Sequence, residues 1–465
     1  MRLFAPDDPR PVHFMGVAGA GMSALALVAR RRGVAVTGCD RDADTGGVAG
    51  TADVRRAGGV VWAGHDPSHV EGARAVIVSS AVPQHHPELE RARALKLPVV
   101  RRAEALAAAV ADGTVVAVAG THGKTTTTVM TTEALAAAGF DPTGIAGGRV
   151  SHWGGNARLG GDDLFVVEAD EYDKSFLALS PQVAVINNVE ADHLECYGSV
   201  AELENAFATF AHSSRRVIAG ADDEAAVRVA RAAGRRTWTV GLGASADVRI
   251  QVMERRPGTS VSVVSLPGGA KVELRLRVPG VHNIRNAAAA LAVAVELDAP
   301  LDGVLGALGR FSGVGRRFEV VGQAGGVAVV DDYAHHESEI SATLEAARQA
   351  YPGRRLIAVF QPHLFSRTAE HGVAMGRALA AADAVVVTDV YAAREAPLAG
   401  VSGELVLDAA RAVGAQTDWV PNRDDLAVRL AELARPGDVV LTMGAGDVTW
   451  VGRDLLRLLE KGATV

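Results

Sequence analysis

Short apolar runs recur along this chain, and most end in a small-residue or polar turn followed by apolar positions at helical spacing. From Pro11 the order is an apolar run, VHFMGV, a turn, AGAGM, a helical stretch, SALALVARRRG, and a second apolar run, VAVTGCD. That succession predicts a βαβ unit. AVIVS at Ala75 to Ser79 and the segment Pro98 to Val100 predict further strands, and an alanine-rich helix around Ala103 to Ala111 ends at Asp112-Gly113, where a domain boundary is expected. A new strand, TVVAVAG, begins at Thr114 and runs into THGKTTTT and a helix through Ala138, with LFVVEAD and VAVINN as the next strands. Between Thr237 and Val278 the alternating runs broken by Pro257-Gly258 and Pro267-Gly268-Gly269 predict antiparallel hairpins, and HNIRNAAAALAVAVEL predicts a helix. A third alternation starts near Val320: GVAVVDDY, ESEISATLEAARQA, RLIAVF, VAMGRALAAA, AVVVTDV, more helix, and DVVLTM before GAGD. The glycine- and arginine-rich segment Phe311 to Arg317 is the expected hinge.

Three rounds of strand and helix predict an α/β protein with parallel sheets, whose ligands sit at the carboxyl ends of strands. The expected domains are residues 1–112, 113–317 and 318–465. The first and last are Rossmann-like, and the central one is a P-loop ATPase domain with a parallel sheet and a small antiparallel part. The length of 465 residues, with 48% hydrophobic and 22% charged, suits such a globular chain. A net charge of −7 argues against a large nucleic-acid footprint. The opening MRLFAPDDPRPVHF lacks the pattern of a signal peptide, and no apolar run is long enough to span a bilayer, so a cytosolic protein that engages no membrane is expected. Cys39 and Cys196, the only cysteines, lie far apart without a pairing pattern and predict neither a disulfide framework nor a zinc site.

The strongest chemical signal is Gly120-Thr121-His122-Gly123-Lys124-Thr125-Thr126, set between an apolar strand and a helix. Small residues let backbone amides close around phosphate oxygens at the positive end of a helix. Lys124 can reach the β and γ phosphates, and the Thr125 hydroxyl can hold magnesium. Val118 stands where the longer form of the motif has glycine, so the loop is a shortened variant beginning at Gly120. A second group, Glu168-Ala169-Asp170-Glu171 and then Asp192-His193, follows the strands LFVV and VAVINN and can converge on metal-bound triphosphate. Oxygen suits magnesium, which favours Glu168 over His193.

In the first unit Gly16, Gly19 and Gly21 are spaced G-x-x-G-x-G, and Asp40 closes the second strand, where an acidic group would meet a ribose. The expectation is a nucleotide-diphosphate site without hydride chemistry, with a structural turn as the alternative. The third unit offers Asp331 to His336 at a strand end, Gln361-Pro362-His363 with Arg367 after the next strand, and Arg316-Arg317 in the hinge, residues suited to anion binding or proton handling.

Taken together, GVAGAGMSALA, SSAVP, GTHGKTTTT, EADEYDKSF, NNVEADHLECYG, HNIRNAAAA, FSGVGRRFE, DDYAHHESEI, QPHLFSRT and DVYAAREAPLAGVSG resemble the Mur ligases, in order and over essentially the whole chain. The resemblance implies an N-terminal domain for a UDP-sugar, a central ATPase domain and a C-terminal domain that closes over ATP and brings in an amino acid. It implies ATP and Mg²⁺ as cofactors and UDP-N-acetylmuramate and L-alanine as partners. Gly120 to Thr126 would bind the triphosphate, with Thr125, Glu168 and His193 at magnesium, Asn286 near adenine and Asp331 near the ribose. Arg317 would meet the γ-phosphate in a closed state. Gly19, Ser23, Asp40, Ser79 and Ser80 would line the UDP-sugar site, while His335, His363 and Arg367 would face the reacting carboxylate and the alanine. Lys124, Glu168, His193, Arg317 and His335 form the implied catalytic set, with His335 or His193 as candidate base.

The chain also departs from relatives, with YAHHESE where many have YGHHPTE, and with Tyr172 and Lys174 where small residues are frequent. Several sister ligases carry a carbamylated lysine after the D-H motif, and no lysine occurs here between His193 and Ala270, which fits the alanine-adding branch. A related ligase acting on a preformed peptide or glutamate, an NAD-dependent oxidoreductase built on the first unit, and a nucleotide-gated binding protein remain as alternatives. The pattern of residues says nothing about oligomeric state.

Overall fold

The computed structural model describes the chain except for residues 1–2, 45–48, 80–81, 394 and 463–465. It forms two compact units, one comprising residues 1–253, 261–275 and 285–311, the other residues 254–260, 276–284 and 312–465. The first unit holds the first sheet and most of the second, and the second unit holds the third.

The opening sheet contains β1 (Val12–Met15), β2 (Val36–Asp40), β3 (Val60–Ala63), β4 (Ala75–Val78) and β5 (Val99–Arg101), in the order β3-β2-β1-β4-β5. All its pairings are parallel, as the βαβ reading requires. Its helices are α1 (Ala20–Arg31), α2 (Ala49–Arg56), α3 (Pro87–Ala94) and α4 (Arg102–Val110). Strand side chains alternate between faces, and the two faces bury different partners. Phe14 and Ile77 pack with Leu25 and Val28 of α1, Val54 of α2 and Leu106 of α4. Met15, Cys39 and Val76 pack instead with Leu89 and Ala92 of α3 and Val70 of a short 3₁₀ turn at Pro67–Val70.

The second sheet runs β15-β14-β13-β12-β11-β10-β6-β9-β7-β8. Its strands are β6 (Thr114–Ala119), β7 (Thr143–Val150), β8 (Gly155–Arg158), β9 (Leu164–Glu168), β10 (Val183–Ile186), β11 (Arg216–Gly220), β12 (Arg236–Gly241), β13 (Val248–Arg256), β14 (Thr259–Ser265) and β15 (Lys271–Leu276). β6 lies between β9 and β10, parallel to both, so Glu168 and Ile186 pair with Val118 and Ala119, which lead into the phosphate loop. The segment expected to open a hairpin at Thr237 is instead parallel, since β12 pairs in parallel with β11 and with β13. The turns at Gly258 and Gly268-Gly269, all with positive φ, then join the edge strands. An antiparallel β7–β8 pair forms the other edge, where the sequence pattern predicts no hairpin. Helices α5 (Lys124–Ala137), α6 (Leu194–Tyr197), α7 (Val200–His212), α8 (Glu224–Ala232), α9 (Val281–Glu296) and α10 (Leu301–Arg310) complete this part. One apolar cluster runs from Phe14 and Leu25 through Ala117 and Phe165 to Phe207, so the first two sheets share a core.

The third sheet has the order β16-β17-β21-β18-β19-β20, made by β16 (Glu319–Ala324), β17 (Val327–Asp332), β18 (Leu356–Phe360), β19 (Ala384–Val387), β20 (Thr417–Trp419) and β21 (Val439–Met443). Apart from the antiparallel β16 edge it is parallel. Helices α11 (Glu337–Ala350), α12 (Phe365–Leu379) and α13 (Glu404–Ala412) cover the face of Val330, while α14 (Leu426–Leu433) and α15 (Thr449–Gly462) cover that of Val329. The segment between α10 and β16 departs from ordinary backbone, with Gly313, Arg316 and Phe318 all at positive φ. None of the described helices is long and apolar enough to cross a membrane.

Candidate active site

The phosphate loop takes its shape from two glycines. Gly120 and Gly123 adopt φ of 133° and 77°, which side-chain-bearing residues rarely tolerate. A Cβ on Gly123 would also stand 2.7 Å from Asn286 Oδ1 and 3.0 Å from Asn187 Nδ2. The loop is gripped from the end of β10: Asn187 Nδ2 donates to the His122 carbonyl and to Thr127 Oγ1 at 3.2 and 3.1 Å, and Asn188 Oδ1 accepts the His122 amide at 2.7 Å. Asn286, expected near adenine, therefore sits against the loop itself. Thr121, Thr125 and Thr126 are buried, and Gly123 precedes the first turn of α5, whose amides have no partner within the helix.

Lys124 is drawn back into this loop. Its Nζ donates to the carbonyls of Gly120 and Thr121 at 2.7 and 3.2 Å and to Glu171 at 2.8 Å, which engages all three ammonium hydrogens. Burial opposes the ammonium, yet the carboxylates of Glu171, Asp170 and Glu168 outweigh it and hold the Lys124 pKa above its ordinary value. Glu171 belongs to the acidic cluster read from sequence, but its pairing with Lys124 could not be read there. Glu168, at the end of β9, accepts the Gly147 amide at 2.5 Å. His193 caps α6 with φ of 56°, beside Glu195 and Asp192 and edge-on to Tyr172.

These donors fit the groups the fold implies. Two positive-φ glycines form a cradle that a Cβ would fill, and a half-buried lysine lies within it, as a triphosphate requires. Thr125, Glu168 and His193 supply a hydroxyl, a carboxylate and an imidazole, a donor set compatible with a hydrated Mg²⁺.

In the opening sheet Asp40 closes the glycine-rich turn. Its Oδ2 accepts the Ala18 amide and its Oδ1 the Asp42 amide, each at 3.0 Å. Gly16 has φ of 77°, and Ser79 lies beside it. Ser23, expected to line a substrate, is buried with its hydroxyl donating to the Gly19 and Ala20 carbonyls at 3.1 Å. Ser80 lies outside the described residues.

The second unit gathers its predicted residues at the ends of β17 and β18. Asp331 accepts hydrogen bonds from Thr442 and Thr449 at 2.7 and 2.8 Å, and Arg316 Nε lies 3.4 Å from it. Burial pushes the neighbouring Asp332 up to about 6, although the Phe318 and Ala334 amides donate to it. Arg317 faces Glu339 at 3.7 Å and stacks over Tyr333. His335 Nδ1 lies 2.9 Å from the Tyr333 carbonyl and 3.2 Å from Glu339, the distances of a ring donating through Nδ1. His335 and His363 have ring centres 6.4 Å apart, and Arg367 donates to His363 Nδ1 at 3.4 Å. Burial, with His335 and Arg367 adding to it, brings His363 down to about 4.

Three family models match the chain in succession: the Mur ligase family catalytic domain over residues 11–114, the Mur ligase middle domain over 118–294 and the Mur ligase glutamate ligase domain over 316–446. The chain is 44% identical to the UDP-N-acetylmuramate–L-alanine ligase of Cutibacterium acnes, over 99% of its own length and 98% of that protein. It is 46% identical to the ligase of the same name from Kineococcus radiotolerans, over 97% and 96%. Among solved structures, the UDP-N-acetylmuramate–alanine ligase of Thermotoga maritima superposes with a TM-score of 0.84 at 29% identity, covering 97% of this chain and 100% of that one. A murein peptide ligase from Psychrobacter arcticus gives 0.72 at 25%, covering 97% and 99%. With every domain matched in order, and with relatives this similar along their full length, the chain belongs to the Mur ligase family.

Proposed function

We propose that this chain joins L-alanine to the lactyl carboxylate of UDP-N-acetylmuramate, converting ATP to ADP and phosphate, in the cytosolic synthesis of peptidoglycan precursors. The observation that carries this reading is a half-buried lysine inside a two-glycine phosphate loop, in a chain alike end to end to ligases of that name.

The chemical problem is one of charge. A carboxylate repels a triphosphate and is a poor acyl donor, so the acid must be phosphorylated before an amine can displace anything from it. Lys124 and the amides at the start of α5 stabilise charge on the phosphates as a carboxylate oxygen attacks the γ-phosphorus, giving an acyl phosphate and ADP. Thr125 and Glu168, with His193 as a weaker partner, would hold Mg²⁺, which would supply further screening of the phosphate oxygens. Asp40, Ser79 and the turn from Gly16 to Gly19 are assigned to the UDP-sugar, Asp331 to the ribose and Arg317 to the γ-phosphate.

The alanine amine attacks the acyl carbon and expels phosphate, and it must first lose a proton. With Nδ1–H of His335 directed at the Tyr333 carbonyl, Nε2 carries the ring's lone pair and can accept that proton. His363, neutral at physiological pH, contributes hydrogen bonding, and Arg367 offers the fixed positive charge that an amino-acid carboxylate needs.

The test is phosphate release measured with UDP-N-acetylmuramate, ATP, Mg²⁺ and each amino acid in turn, with the carboxylate oxygens labelled with ¹⁸O. Alanine should give the fastest release, one label should appear in phosphate, and a new amide should form. Release that ignores the muramyl nucleotide, or phosphate without label, would refute the reading.

A further inference from the structure

Beneath the opening sheet, away from the phosphate loop, three metal-binding side chains, His13, Cys39 and Glu88, converge, and His65 approaches two of them. His13 of β1 and Cys39 of β2 project from the face that α3 and the Pro67–Val70 turn cover. Glu88 comes from the first turn of α3, and His65 from the loop after β3. Cys39 Sγ lies 3.5 Å from His13 Nε2, 3.2 Å from His65 Nδ1 and 3.1 Å from Glu88 Oε2, and His65 Nδ1 lies 3.2 Å from the same Oε2. His13, Cys39 and Glu88 are each 0% exposed, whereas His65 reaches solvent.

The thiol donates its one hydrogen to Glu88 Oε2, so His13 Nε2 and His65 Nδ1 approach Sγ either as N–H donors or as fellow ligands of a cation. The only ion-pair partners of the buried Glu88 among the described residues are the imidazoles of His65 and His69, with no lysine or arginine. The spacing also admits a cation. Tetrahedral bonds of about 2.0–2.3 Å to nitrogen, oxygen and sulfur imply ligand–ligand edges of roughly 3.3–3.6 Å, which the Sγ to His13 contact at 3.5 Å meets and the contacts at 3.1 and 3.2 Å approach. The outer contacts are in place as well: Thr37 Oγ1 lies 3.0 Å from His13 Nδ1, which leaves Nε2 for the cluster, and His69 Nδ1 and the Asp66 amide hold Glu88 Oε1 at 2.9 and 3.0 Å.

We propose that His13 Nε2, Cys39 Sγ and Glu88 Oε2, with His65 Nδ1 beside the last two on the solvent side, form a zinc site that fastens α3 and the Pro67–Val70 turn to the opening sheet. Nitrogen, sulfur and carboxylate oxygen suit Zn²⁺, and donors drawn from β1, β2 and α3 give the ion a structural role. Binding converts the Cys39 thiol to thiolate and releases one proton to solvent, while the His13 imidazole binds neutral. Burial beside Glu88 raises the thiol pKa and burial lowers that of His13 to about 4, so without metal the cluster holds a protonated thiol and a neutral imidazole. Because Cys39 precedes Asp40, the site also steadies the strand end that closes the glycine-rich turn.

The test uses the full-length protein, stripped with a chelator and titrated with Co²⁺ as a spectroscopic probe. One equivalent should produce the intense visible bands of four-coordinate cobalt and a thiolate-to-cobalt charge-transfer band, and Zn²⁺ should displace both. The charge-transfer band should vanish in Cys39→Ser and persist in Cys196→Ser. His69→Ala, which removes an outer partner, should weaken binding about tenfold, and His65→Ala more than that. A wild-type protein that gives no charge-transfer band, or a Cys39→Ser variant that keeps it, overturns the proposal. The wild-type titration decides the matter even where a variant fails to fold.

Discussion

Two glycine-rich turns in this molecule follow the same local pattern and end with opposite charges at their centre. After β1 the turn closes on the Asp40 carboxylate, which accepts the Ala18 amide, while after β6 the turn closes on the Lys124 ammonium, which engages Gly120, Thr121 and Glu171. Strand, glycines and helix do not decide the difference. The sources of charge do: β2 delivers an acid to the first turn, whereas the second carries its cation as the first residue of its own helix, and β10 adds Asn187 and Asn188 as neutral clamps. An acid at the first turn suits ribose hydroxyls, and a cation at the second suits phosphates.

The largest effect that could break this contrast is at the second turn. Lys124→Ala should reduce ADP formation by about 100- to 1,000-fold, the scale seen when a preorganised charge-stabilising donor is lost. Binding of UDP-N-acetylmuramate, measured by calorimetry, should stay nearly unchanged, and joint loss of both would collapse the two turns into one site. A control outside both turns comes from His363. Its pKa in the folded protein, about 4, lies below the 6.5 of an unfolded histidine, so its contribution is present above pH 6.5 and is lost as pH falls toward 4. The second unit should therefore lose about 2–3 kcal/mol of stability as pH falls through that window. His363→Gln should flatten that limb of the pH curve, and an unaltered limb would contradict the assignment.

At the first turn Asp40→Asn keeps the shape and removes the charge. It should raise KM for the UDP-sugar about tenfold, as expected when a hydrogen bond to a charged group is lost, and leave KM for ATP in place. The smallest change is Glu171→Gln, which removes the anion competing for Lys124. Affinity for ATP should rise several-fold, a change of about 1 kcal/mol. Weaker ATP binding in that variant would mean that Glu171 positions the lysine and does not merely hold it back.

Much of this is legible without any coordinates. Gly120 to Thr126, the acidic cluster after β9 and the histidines after β17 and β18 all stand at strand ends, where the parallel sheets carry them. His335, His363 and Arg367 do come together, because β17 and β18 both flank β21. Asn187 and Asn188 escape a sequence reading as clamps, since an asparagine pair after a strand looks like an ordinary turn until the loop it grips is in place. Asn286 illustrates a different limit: the helix around it is expected, but its contact with Gly123 depends on how that helix lies against the loop. The region around β12 misleads because alternating polarity marks a half-buried strand without saying which way its neighbour runs.

The amino-acid order alone determined most of the periodic elements and the phosphate loop, because each depends on contacts between residues close in the chain, and the resemblance along the whole chain carried the catalytic class. Only the tertiary structure decided which groups face one another across strands. Cys39 shows this most plainly: its neighbours His13 and His65 each lie 26 residues away, one strand crossover in either direction, and no local spacing pattern can announce atoms that meet only when the sheet forms.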